Sequence, residues 1–474
     1  MSRAQQSAAE RDDATTISEL MVNARRAMAQ FASADQARVD EAVTALCWSI
    51  HKPEHARETA ELAVEGTGLG NVEDKIIKNQ RKNFGTLRDL MRVKSVGVIK
   101  EIPEKGLVKY AKPVGVVGAV VPSTNPCATP VNKGMMAIKG RNAVVIAPSP
   151  AGFKATSRVV DLMRAELEKI GLPADLVQIL PAPISKTLTN KLMEDCDLVV
   201  VTGSQNNVRN AYKSGTPAIG VGAGNVPVII DSSADLDDAA QKIMTSKCFD
   251  NATSCSSENS VTILDDIYDD AIAAMKRAGG YMCTSEDKVA ILNNLWVGGH
   301  LNRHILAKDP DVFADVCGLP DEAKQAKFFM VEDEGAGENK PLSGEKLSLA
   351  LTVYRAPSIE GAMEQVQDVL NFQGMGHSVG IHTKEPANAQ MLAERLDVVR
   401  VLVNQAHTFG NGGSFDNGLG FTLTMGCGTW AGNSISENLG YHHFINITHL
   451  VKTIPEDRPS EEELFGAHWK KYGK

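Results

Sequence analysis

The first ninety residues carry apolar side chains at the spacing of amphipathic helices. Between residues 17 and 51 the apolar positions recur every three or four residues, which predicts two helices. The same spacing predicts helices over 54–62 and 72–90, and the segments 96–102 and 107–111 are predicted to be extended.

From residue 116 onward the pattern changes to short β-branched segments separated by helical ones. This rhythm predicts βαβ units with a buried parallel sheet, whose ligands bind beyond the carboxyl ends of the strands. The predicted strands cover 116–121, 142–147, 176–180, 198–201 and 226–230, and the predicted helices cover 130–138, 153–170, 185–193 and 206–214.

The same rhythm restarts after Asp231 and continues to about residue 417, which predicts a second α/β domain. We therefore expect an α/β fold with two domains. The first covers residues 1–231, to which 418–459 returns, the second covers 232–417, and residues 460–474 form a C-terminal tail.

Composition and charge exclude several classes of protein. The chain has 474 residues and a net charge of −9 without a block of Lys or Arg, so we expect no nucleic-acid partner. Its longest apolar stretches fall short of the ~20 residues of a membrane span, so we expect no membrane partner. Eight cysteines without a C-x-x-C pair indicate neither a zinc site nor a disulfide framework, so we expect no metal and a reducing cytoplasm.

The segment FDNATSCSSENS, residues 249–260, contains the most reactive side chain that the sequence offers. Cys255 is flanked by Ser254, Ser256 and Ser257 rather than by aliphatic residues. Hydroxyls and exposed backbone N–H groups can stabilise a thiolate, which makes Cys255 a candidate nucleophile. The alternative is a small buried hydrophobic residue, which is how we interpret the other seven cysteines.

Three other segments carry weaker signals. In VTGSQNN, residues 201–207, a strand end and a helix start offer free N–H groups to a phosphate or a nicotinamide, although an ordinary β–α turn has the same pattern. No G-x-G-x-x-G follows a predicted strand, so a dinucleotide would bind without that fingerprint. His377 lies between glycines, and a lone His is more often structural than catalytic. The Gly-rich run 426–443 is either a long surface loop or a backbone that approaches a ligand.

Eight ordered segments together resemble the aldehyde dehydrogenase superfamily and, within it, the coenzyme A-acylating branch. The resemblance implies a Rossmann-like dinucleotide-binding domain, a catalytic α/β domain and a small oligomerisation element. The segments are PVGVVGAVVPSTNP (113–126), KGRNAVVIAPSP (139–150), VTGS (201–204), GTPAIGVGAGNVPVIID (215–231), FDNATSCSSEN (249–259), GEKLSLALTVYRA (344–356), GHSVGIHT (376–383) and TLTMGCGTWAGNSISEN (422–438).

The resemblance also implies roles for individual residues. Cys255 matches the family nucleophile, and His377 matches the His associated with the acylating branch. Asn125 lies in the loop whose amide helps to hold the oxyanion, and Glu345 matches the Glu that contacts the nicotinamide ribose. Further cofactor contacts are implied for Pro122, Ser123, Thr124, Ser149, Thr202, Gly203, Ser204 and Gly222.

The family's substrate-facing loop falls on NQAHTFGNGGSFDNG, residues 404–418. This loop is polar and Gly-rich, whereas a pocket for an alkyl aldehyde is apolar. A sulfonate needs convergent hydrogen-bond donors, which Asn404, His407, Gly410 and Gly413 can provide, and a solvated turn without a ligand is the alternative. Over the whole chain, the sequence is most similar to members that convert sulfoacetaldehyde to sulfoacetyl-CoA, with acetaldehyde and succinate semialdehyde as alternative substrates.

Two departures from the family pattern bear on the reaction. Hydrolytic members carry a Glu general base where this chain has Val221, so we expect the acyl-enzyme thioester to persist until the thiol of coenzyme A attacks it. The Lys and Glu that bind the adenosine ribose are replaced by Ala147 and Pro150. Ser149 and Lys154 can hold a 2′-phosphate, which slightly favours NADP over NAD as the cofactor.

The expected protein is an NAD(P)-dependent acylating aldehyde dehydrogenase that acts on a small aldehyde and coenzyme A as a homodimer or homotetramer. A hydrolytic aldehyde dehydrogenase is the first alternative, and the Glu missing at Val221 argues against it. A non-catalytic scaffold is the second, and the presence of Cys255 argues against it. Residues 1–16 predict a loose polar arm, and the segment 15–31 favours packing on the domain over docking to a partner.

Overall fold

The computed structural model describes residues 3–474, with side chains from residue 12 onward. The chain begins with the helices α1 (Arg3–Phe31), α2 (Gln36–His51), α3 (Pro53–Thr67) and α4 (Val72–Met91). The prediction of a loose arm over 1–16 is wrong for residues 3–16, because helix-forming Ala, Gln, Glu and Arg extend α1 to Arg3. The apolar side of α1 packs into the core of the first sheet through Ile17, Ala24 and Phe31.

The strand predicted at 226–230 belongs to the second sheet, whereas the other four strands predicted between residues 116 and 230 lie in the first parallel sheet. Its five strands lie in the order β5-β4-β3-β6-β7, and β3 and β4 are buried along their whole length. The elements are β1 (Gly97–Ile102), β2 (Leu107–Pro113), β3 (Val116–Val120), α5 (Ala128–Lys139), β4 (Ala143–Ala147), α6 (Phe153–Lys169), β5 (Val177–Ile179), α7 (Lys186–Asp195), β6 (Leu198–Thr202), α8 (Gln205–Lys213) and β7 (Ala218–Val221).

A second parallel sheet of seven strands follows, in the order β10-β13-β14-β9-β8-β15-β16. Together the two sheets confirm the predicted α/β fold. The elements are β8 (Val226–Ile230), α9 (Leu236–Cys248), β9 (Glu258–Leu264), α10 (Tyr268–Arg277), β10 (Gly280–Met282), α11 (Ser285–Leu295), β11 (Trp296–Val297), β12 (His300–Leu301), α12 (Pro310–Cys317), β13 (Phe328–Glu332), β14 (Ala350–Ala356), α13 (Ile359–Phe372), β15 (Val379–His382), α14 (Pro386–Arg395) and β16 (Val401–Val403).

The C-terminal part adds α15 (His407–Gly410), β17 (Ile445–Val451) and α16 (Glu461–Tyr472). β17 pairs antiparallel with β2, which gives a separate three-stranded sheet in the order β1-β2-β17. Just before β17, Leu439 and Phe444 join the core of the first sheet. Across residues 3–474, no helix combines the length and apolar character that crossing a membrane requires.

The connection between the two sheets places the functional edges opposite each other. β7 ends at Val221 and β8 begins at Val226. A chain segment of this length spans at most about 18 Å. The carboxyl edge of the first sheet therefore faces the amino edge of the second sheet across a cleft.

Candidate active site

Cys255 lies at the amino end of β9, just after a strained turn. Between α9 and β9, the 3₁₀ turn Phe249–Ala252 holds Asp250, Asn251 and Ala252 at φ angles of 51°, 51° and 62°. Side chains other than glycine disfavour this left-handed region by roughly 1–2 kcal/mol per residue. The turn therefore depends on the contacts that surround it.

Asp250 ties this turn to α4. Its carboxylate accepts hydrogen bonds from Nζ of Lys75 at 2.9 Å and from the hydroxyl of Thr253 at 2.6 Å, and Nζ of Lys78 also donates to it. The backbone N–H of Asn71 adds a further bond at 3.1 Å. Burial alone would raise the pKa of Asp250, but the charges of Lys78 and Lys75 outweigh it and hold the pKa below its usual range. Asp250 therefore links α4 to the turn before Cys255 through its ion pairs with Lys75 and Lys78.

Gly224 brings the loop between the two sheets onto Cys255. A Cβ atom at Gly224 would lie 2.4 Å from the carbonyl oxygen of Cys255 and 2.9 Å from Nε2 of His377, so only glycine fits. Asn225 anchors the same loop, because its amide donates to the carbonyl of Ser343 at 2.8 Å. The nucleophile, the loop and His377 therefore meet at one point.

One ring nitrogen of His377 is held and the other is free. Nδ1 lies 2.8 Å from Oγ of Ser378, which in turn lies 2.9 Å from Nε2 of His407. Nε2 of His377 is buried on the side of Gly224 and has no hydrogen-bond partner among the described residues. Burial, followed by the charges of Arg400 and His407, holds the pKa of His377 well below its usual range. The ring is therefore neutral at pH 7 and can accept a proton at Nε2.

The thiol of Cys255 and the carboxyl group of Glu345 are both protonated in the free protein. Cys255 is partly accessible at the floor of the cleft, and burial, followed by the charge of Glu345, raises its pKa to about 12. Burial raises the pKa of Glu345 to about 8, even though the N–H of Gly224 donates to its carboxylate. The turn that carries Glu345 is held by Lys346, whose Nζ donates to the carbonyl of Gly344 at 2.9 Å.

The residues predicted to bind the cofactor lie along the carboxyl edge of the first sheet. Residues 122–124 follow β3, Ser149 follows β4, residues 202–204 end β6, and Gly222 follows β7. β3 and β6 are neighbours at the point where the strand order reverses, which is where dinucleotides bind in such sheets. Ser204 caps α8 by accepting a hydrogen bond from an N–H of its first turn at 3.3 Å. The remaining N–H groups of that turn point to the same edge.

The two residues predicted to hold a 2′-phosphate already have partners. Oγ of Ser149 accepts a hydrogen bond from the N–H of Gly152 at 3.1 Å, and Nζ of Lys154 lies 3.0 Å from a carboxylate oxygen of Glu65. The ion pair is exposed and contributes little to stability, so a phosphate competes with a weak contact. The preference for NADP over NAD stays a prediction.

A cavity lies under α4, next to the nucleophile segment. Ser254, the neighbour of Cys255, reaches its wall. Asn125 also lines it, and Oδ1 of this residue is buried without a partner in the part of the chain that the structure describes. The complete lining is formed by Ile77, Lys78, Arg81, Lys82, Asn125, Phe249, Ser254, Thr408, Phe409 and Leu423.

Lys78, Arg81 and Lys82 are candidate site residues that sequence reasoning misses. They lie on α4, far from Cys255 along the chain, and only the folded structure brings the two segments together. A signal was nevertheless present, because Lys75, Lys78 and Lys82 recur at helical spacing. All three are buried, although lysines at such spacing normally form a solvated helix face.

Two of the predicted substrate residues, Asn404 and His407, form hydrogen bonds within the protein. Oδ1 of Asn404 accepts from the N–H of Thr383 at 2.9 Å, and its Nδ2 donates to the Thr383 carbonyl at 2.7 Å. His407 is fully buried and its ring faces Ser378. Neither side chain lines the cavity under α4.

The predicted substrate loop still reaches the cavity through other residues. Thr408 and Phe409 form part of its wall. Gly410 packs against Gln405, and the carbonyl of Gly413 accepts a long hydrogen bond from Nζ of Lys82 at 3.5 Å. The loop therefore contributes to the cavity through one hydroxyl, one ring and its backbone.

Away from the cleft, one cluster offers metal-ligating atoms. Oε1 of Glu437 lies 3.0 Å from Nε2 of His442 and 3.2 Å from Nε2 of His443, and ligand atoms of the three residues lie within 4.8 Å of one another. These contacts account for the cluster without an ion. The expectation that the protein holds no metal stays a prediction.

Comparisons with known proteins identify the family of this chain. The model of the aldehyde dehydrogenase family matches residues 3–284. The chain is 49% identical over 462 residues to the acylating sulfoacetaldehyde dehydrogenase of Cupriavidus necator, covering 97% of this chain and 94% of that protein. It is 42% identical over 464 residues to the acylating sulfoacetaldehyde dehydrogenase of Bilophila wadsworthia, covering 97% of this chain and 100% of that protein.

A solved structure shows the same fold over nearly the whole chain. The acetylating aldehyde dehydrogenase from Geobacillus thermoglucosidasius is 33% identical and has a TM-score of 0.91, covering 95% of this chain and 99% of that one. The superfamily that the eight sequence segments resemble is thereby confirmed. The chain belongs to the aldehyde dehydrogenase family.

Proposed function

We propose that this protein converts sulfoacetaldehyde, coenzyme A and NAD(P)⁺ into sulfoacetyl-CoA and NAD(P)H. The observation that carries the proposal is the surroundings of Cys255. Cys255 lies with Gly224 and the free Nε2 of His377, and the sequence has Val221 at the position that corresponds to the general base of hydrolytic family members. The two relatives named acylating sulfoacetaldehyde dehydrogenases support the choice of aldehyde.

Cys255 attacks the carbonyl carbon of the aldehyde. Because its pKa of about 12 keeps the resting thiol protonated, the thiol loses its proton as the S–C bond forms. Nε2 of His377 is the free group that can take this proton. The carbonyl oxygen becomes an oxyanion, for which the amide of Asn125 and the backbone N–H of Cys255 are the donors.

Open space at the carboxyl edge of the first sheet supports the binding of a dinucleotide there. A Cβ atom at Gly203 would approach only Pro122, at 3.8 Å, so the carboxyl edge keeps open space beside the start of α8. NAD(P)⁺ bound there supplies the acceptor for the hydride that leaves the thiohemiacetal carbon. Glu345, protonated at pH 7, can donate a hydrogen bond in this cleft without adding a negative charge.

The resulting thioester on Cys255 exchanges with the thiol of coenzyme A. After the proton of Cys255 has passed from His377 to solvent, His377 takes the proton of the incoming thiol. The bond from the acyl carbon to the sulfur of coenzyme A forms, the bond to Sγ of Cys255 breaks, and His377 returns the proton to Sγ. Hydrolysis would require a base that removes a proton from water. Val221 has no such group, and Glu345 is protonated at pH 7, so transfer to coenzyme A is favoured over formation of the free acid.

The domain roles and the assembly follow from the same proposal. Residues 1–231 with 418–459 bind the cofactor, residues 232–417 carry the nucleophile, and 460–474 form the tail. The exposed apolar residues Leu450 and Val451 of β17 support a homodimer or homotetramer. Eight unpaired cysteines support a cytoplasmic location. Light scattering coupled to size-exclusion chromatography measures the number of subunits.

Dependence on coenzyme A tests the proposal. Purified protein is mixed with sulfoacetaldehyde and NAD⁺ or NADP⁺, and the reduced cofactor is followed by absorbance with and without coenzyme A. We expect reduced cofactor only when coenzyme A is present, and sulfoacetyl-CoA in the mass spectrum. Equal rates without coenzyme A, with free sulfoacetate as product, would show a hydrolytic enzyme. A higher kcat/KM for acetaldehyde or succinate semialdehyde would overturn the assignment of sulfoacetaldehyde as the substrate and leave the acylating chemistry intact.

A further inference from the structure

The side of α4 that carries the cavity holds more buried positive than negative charge. Lys75, Lys78 and Lys82 are only 4%, 6% and 9% exposed, and Arg81 lies on the same helix. One carboxylate, that of Asp250, is shared by Lys75 and Lys78. A buried charge without a partner is costly, so the remaining cations call for an anion.

Lys82 has no carboxylate partner among the described residues. Its Nζ donates only to the backbone carbonyls of Gly412 at 3.2 Å and Gly413 at 3.5 Å. Burial, followed by the charges of Arg81 and Lys78, lowers its pKa to about 7. A bound anion would favour the charged form of this amine.

Arg81 presents a donor that the protein does not use. Its Nη2 donates to the hydroxyl of Ser414 at 2.9 Å, whereas its Nη1 is buried and unpartnered within the described chain. Three rings surround the guanidinium group, because the centroids of Phe409, Phe415 and Phe421 lie 5.2, 5.6 and 5.6 Å from its carbon. The rings fix the position of the guanidinium group and leave its charge uncompensated.

The acids that face these cations are already engaged. Asp250 binds Lys75 and Lys78, and Asp416 accepts a hydrogen bond from the hydroxyl of Ser414. The charge of Asp416 partly offsets the effect of burial on Arg81, which still lowers the pKa of the guanidinium. Neither carboxylate occupies Nη1 of Arg81.

We propose that Arg81 and Lys82 bind the anionic end of the aldehyde substrate and select for it. This inference rests on the proposed function, because it names the residues that recognise a sulfonate at that same site. Asn125 and Ser254 line the same cavity, so an aldehyde with its anionic end at α4 places its carbonyl beside the nucleophile segment. The sulfonate accepts from Nη1 of Arg81 and from Nζ of Lys82.

The cationic lining of the cavity favours an anionic aldehyde. The three acceptor oxygens of a sulfonate match the two cationic donors, Arg81 and Lys82, that line the cavity. Succinate semialdehyde carries its carboxylate two methylene groups from the carbonyl carbon. It is therefore the competing anionic substrate in the test below.

The test compares Arg81→Met with a matched variant on the same helix. Arg88 also stacks on Phe421, at 4.9 Å, but pairs with Asp89 and does not line the cavity. We measure kcat/KM for sulfoacetaldehyde, succinate semialdehyde and propionaldehyde, the last being neutral and of similar size. We expect Arg81→Met to lower the ratio of sulfoacetaldehyde to propionaldehyde by about 10- to 100-fold, and Arg88→Met to leave this ratio unchanged.

Binding of isethionate, a sulfonate that cannot be oxidised at an aldehyde carbon, gives a readout that needs no turnover. Calorimetry should detect isethionate binding to the wild type and to Arg88→Met, and a binding constant at least about tenfold weaker for Arg81→Met. Arg81→Lys, which keeps the charge, should recover part of the loss. Circular dichroism shows that each variant is folded, and Lys82→Met serves as the second variant if Arg81→Met is not.

The possible results separate this inference from the proposed function. A ratio for Arg81→Met within about twofold of the wild type, together with unchanged isethionate binding, would overturn the inference even if the enzyme is acylating. If Arg81→Met lowers kcat/KM more for succinate semialdehyde than for sulfoacetaldehyde, the inference that these residues recognise a sulfonate would be overturned. A wild type without coenzyme A-dependent activity that still binds isethionate through Arg81 would overturn the proposed reaction alone.

Discussion

Buried ionisable groups lie on two faces of Cys255, the cofactor face with Glu345 and His377 and the α4 face with Asp250 and its lysines. The groups of the first face are neutral, whereas those around Asp250 form ion pairs. On the cofactor face, burial keeps Glu345 and His377 neutral and moves their pKa values in opposite directions. On the α4 face, the ion pairs around Asp250 keep charges in place. The difference lies in the partners, since among the described residues Glu345 and His377 form no ion pair like those of Asp250 with Lys75 and Lys78.

This contrast separates two electrostatic tasks within one cleft. Attack on the aldehyde and transfer of the acyl group need groups that exchange protons, and Glu345 and His377 are uncharged on that face. Recognition of an anionic substrate needs charges that persist, and Arg81 cannot lose its proton in a protein. The proposals above therefore divide chemistry and selection between the two faces.

The largest expected effect comes from removing the thiol between the faces. Cys255→Ala should lower kcat by more than roughly 10⁴-fold, because no other group can form the thioester. Fluorescence titration with the reduced cofactor should still give the wild-type dissociation constant. Cys283→Ala, which removes another partly exposed cysteine, is the control. Substantial coenzyme A-dependent turnover by Cys255→Ala would refute the nucleophile assignment.

Adding a base to the cofactor face should change the product. In Val221→Glu, a carboxylate can remove a proton from water, and we expect the ratio of free acid to acyl-CoA to rise by roughly tenfold or more. Chromatography of the products measures this ratio. Val221→Gln has nearly the same size but no base, so it should leave the ratio unchanged. An equal effect of both substitutions would show that packing, rather than proton transfer, determines the product.

The hydrogen bond behind His377 should matter for acyl transfer. Ser378→Ala removes the hydroxyl that joins His377 to His407, and we expect steady-state turnover to fall by about tenfold. Rapid-mixing measurements should show the first turnover of reduced cofactor slowed as well, because His377 also takes the proton of Cys255 before hydride transfer. Ser348→Ala is the control, since that buried hydroxyl has no partner among the described residues. A first turnover at the wild-type rate would mean that Ser378 acts only in the step with coenzyme A.

The smallest effect concerns stability on the α4 face. The pKa of Lys82 falls from 10.5 to about 7 on folding, so the unfolded chain binds more protons between these values. Burial of Lys82 therefore lowers the free energy of unfolding most below pH 7. This loss of stability disappears as the pH rises to the pKa of the lysine in the unfolded chain. Relative to the wild type, Lys82→Met should gain roughly 2 °C more in melting temperature at pH 6 than at pH 9.

The exposed residue Lys94, changed to Met, is the control for this measurement. Scanning calorimetry at the two pH values gives the differences directly. We expect the gain in melting temperature of Lys82→Met over the wild type to be greater at pH 6 than at pH 9. The reverse order, or an equal gain at both values, would mean that another charge compensates Lys82.

Local patterns were sufficient to predict most elements of the fold. Residues 116–230 alternate between β-branched runs and helical spacing, and the strands and helices formed there lie within a few residues of the predicted limits. The strand β13 and the helix α12 were not predicted, and the helical start of α1 was hidden by its polar composition. The small residues around Cys255 also marked the nucleophile segment, because small polar side chains leave room for substrate.

The α4 face could not be predicted from the sequence in the same way. Whether a lysine is solvated or buried depends on what packs over its helix, and Lys82 is covered by the backbone of residues 412–413. His407 illustrates the same limit. The sequence places it in the predicted substrate loop but does not predict that its ring faces Ser378. Contacts between distant segments determine both outcomes.

The shared carboxylate of Asp250 also bears on how the substrate range of such an enzyme can change during evolution. Lys75 and Lys78 hold the turn that delivers the nucleophile, so replacing either one to suit a new aldehyde would disturb the catalytic thiol as well. Arg81 has no bond to that turn, and its substitution alters the cavity alone. New specificities should therefore arise first at position 81, while positions 75, 78 and 250 change together or remain as they are.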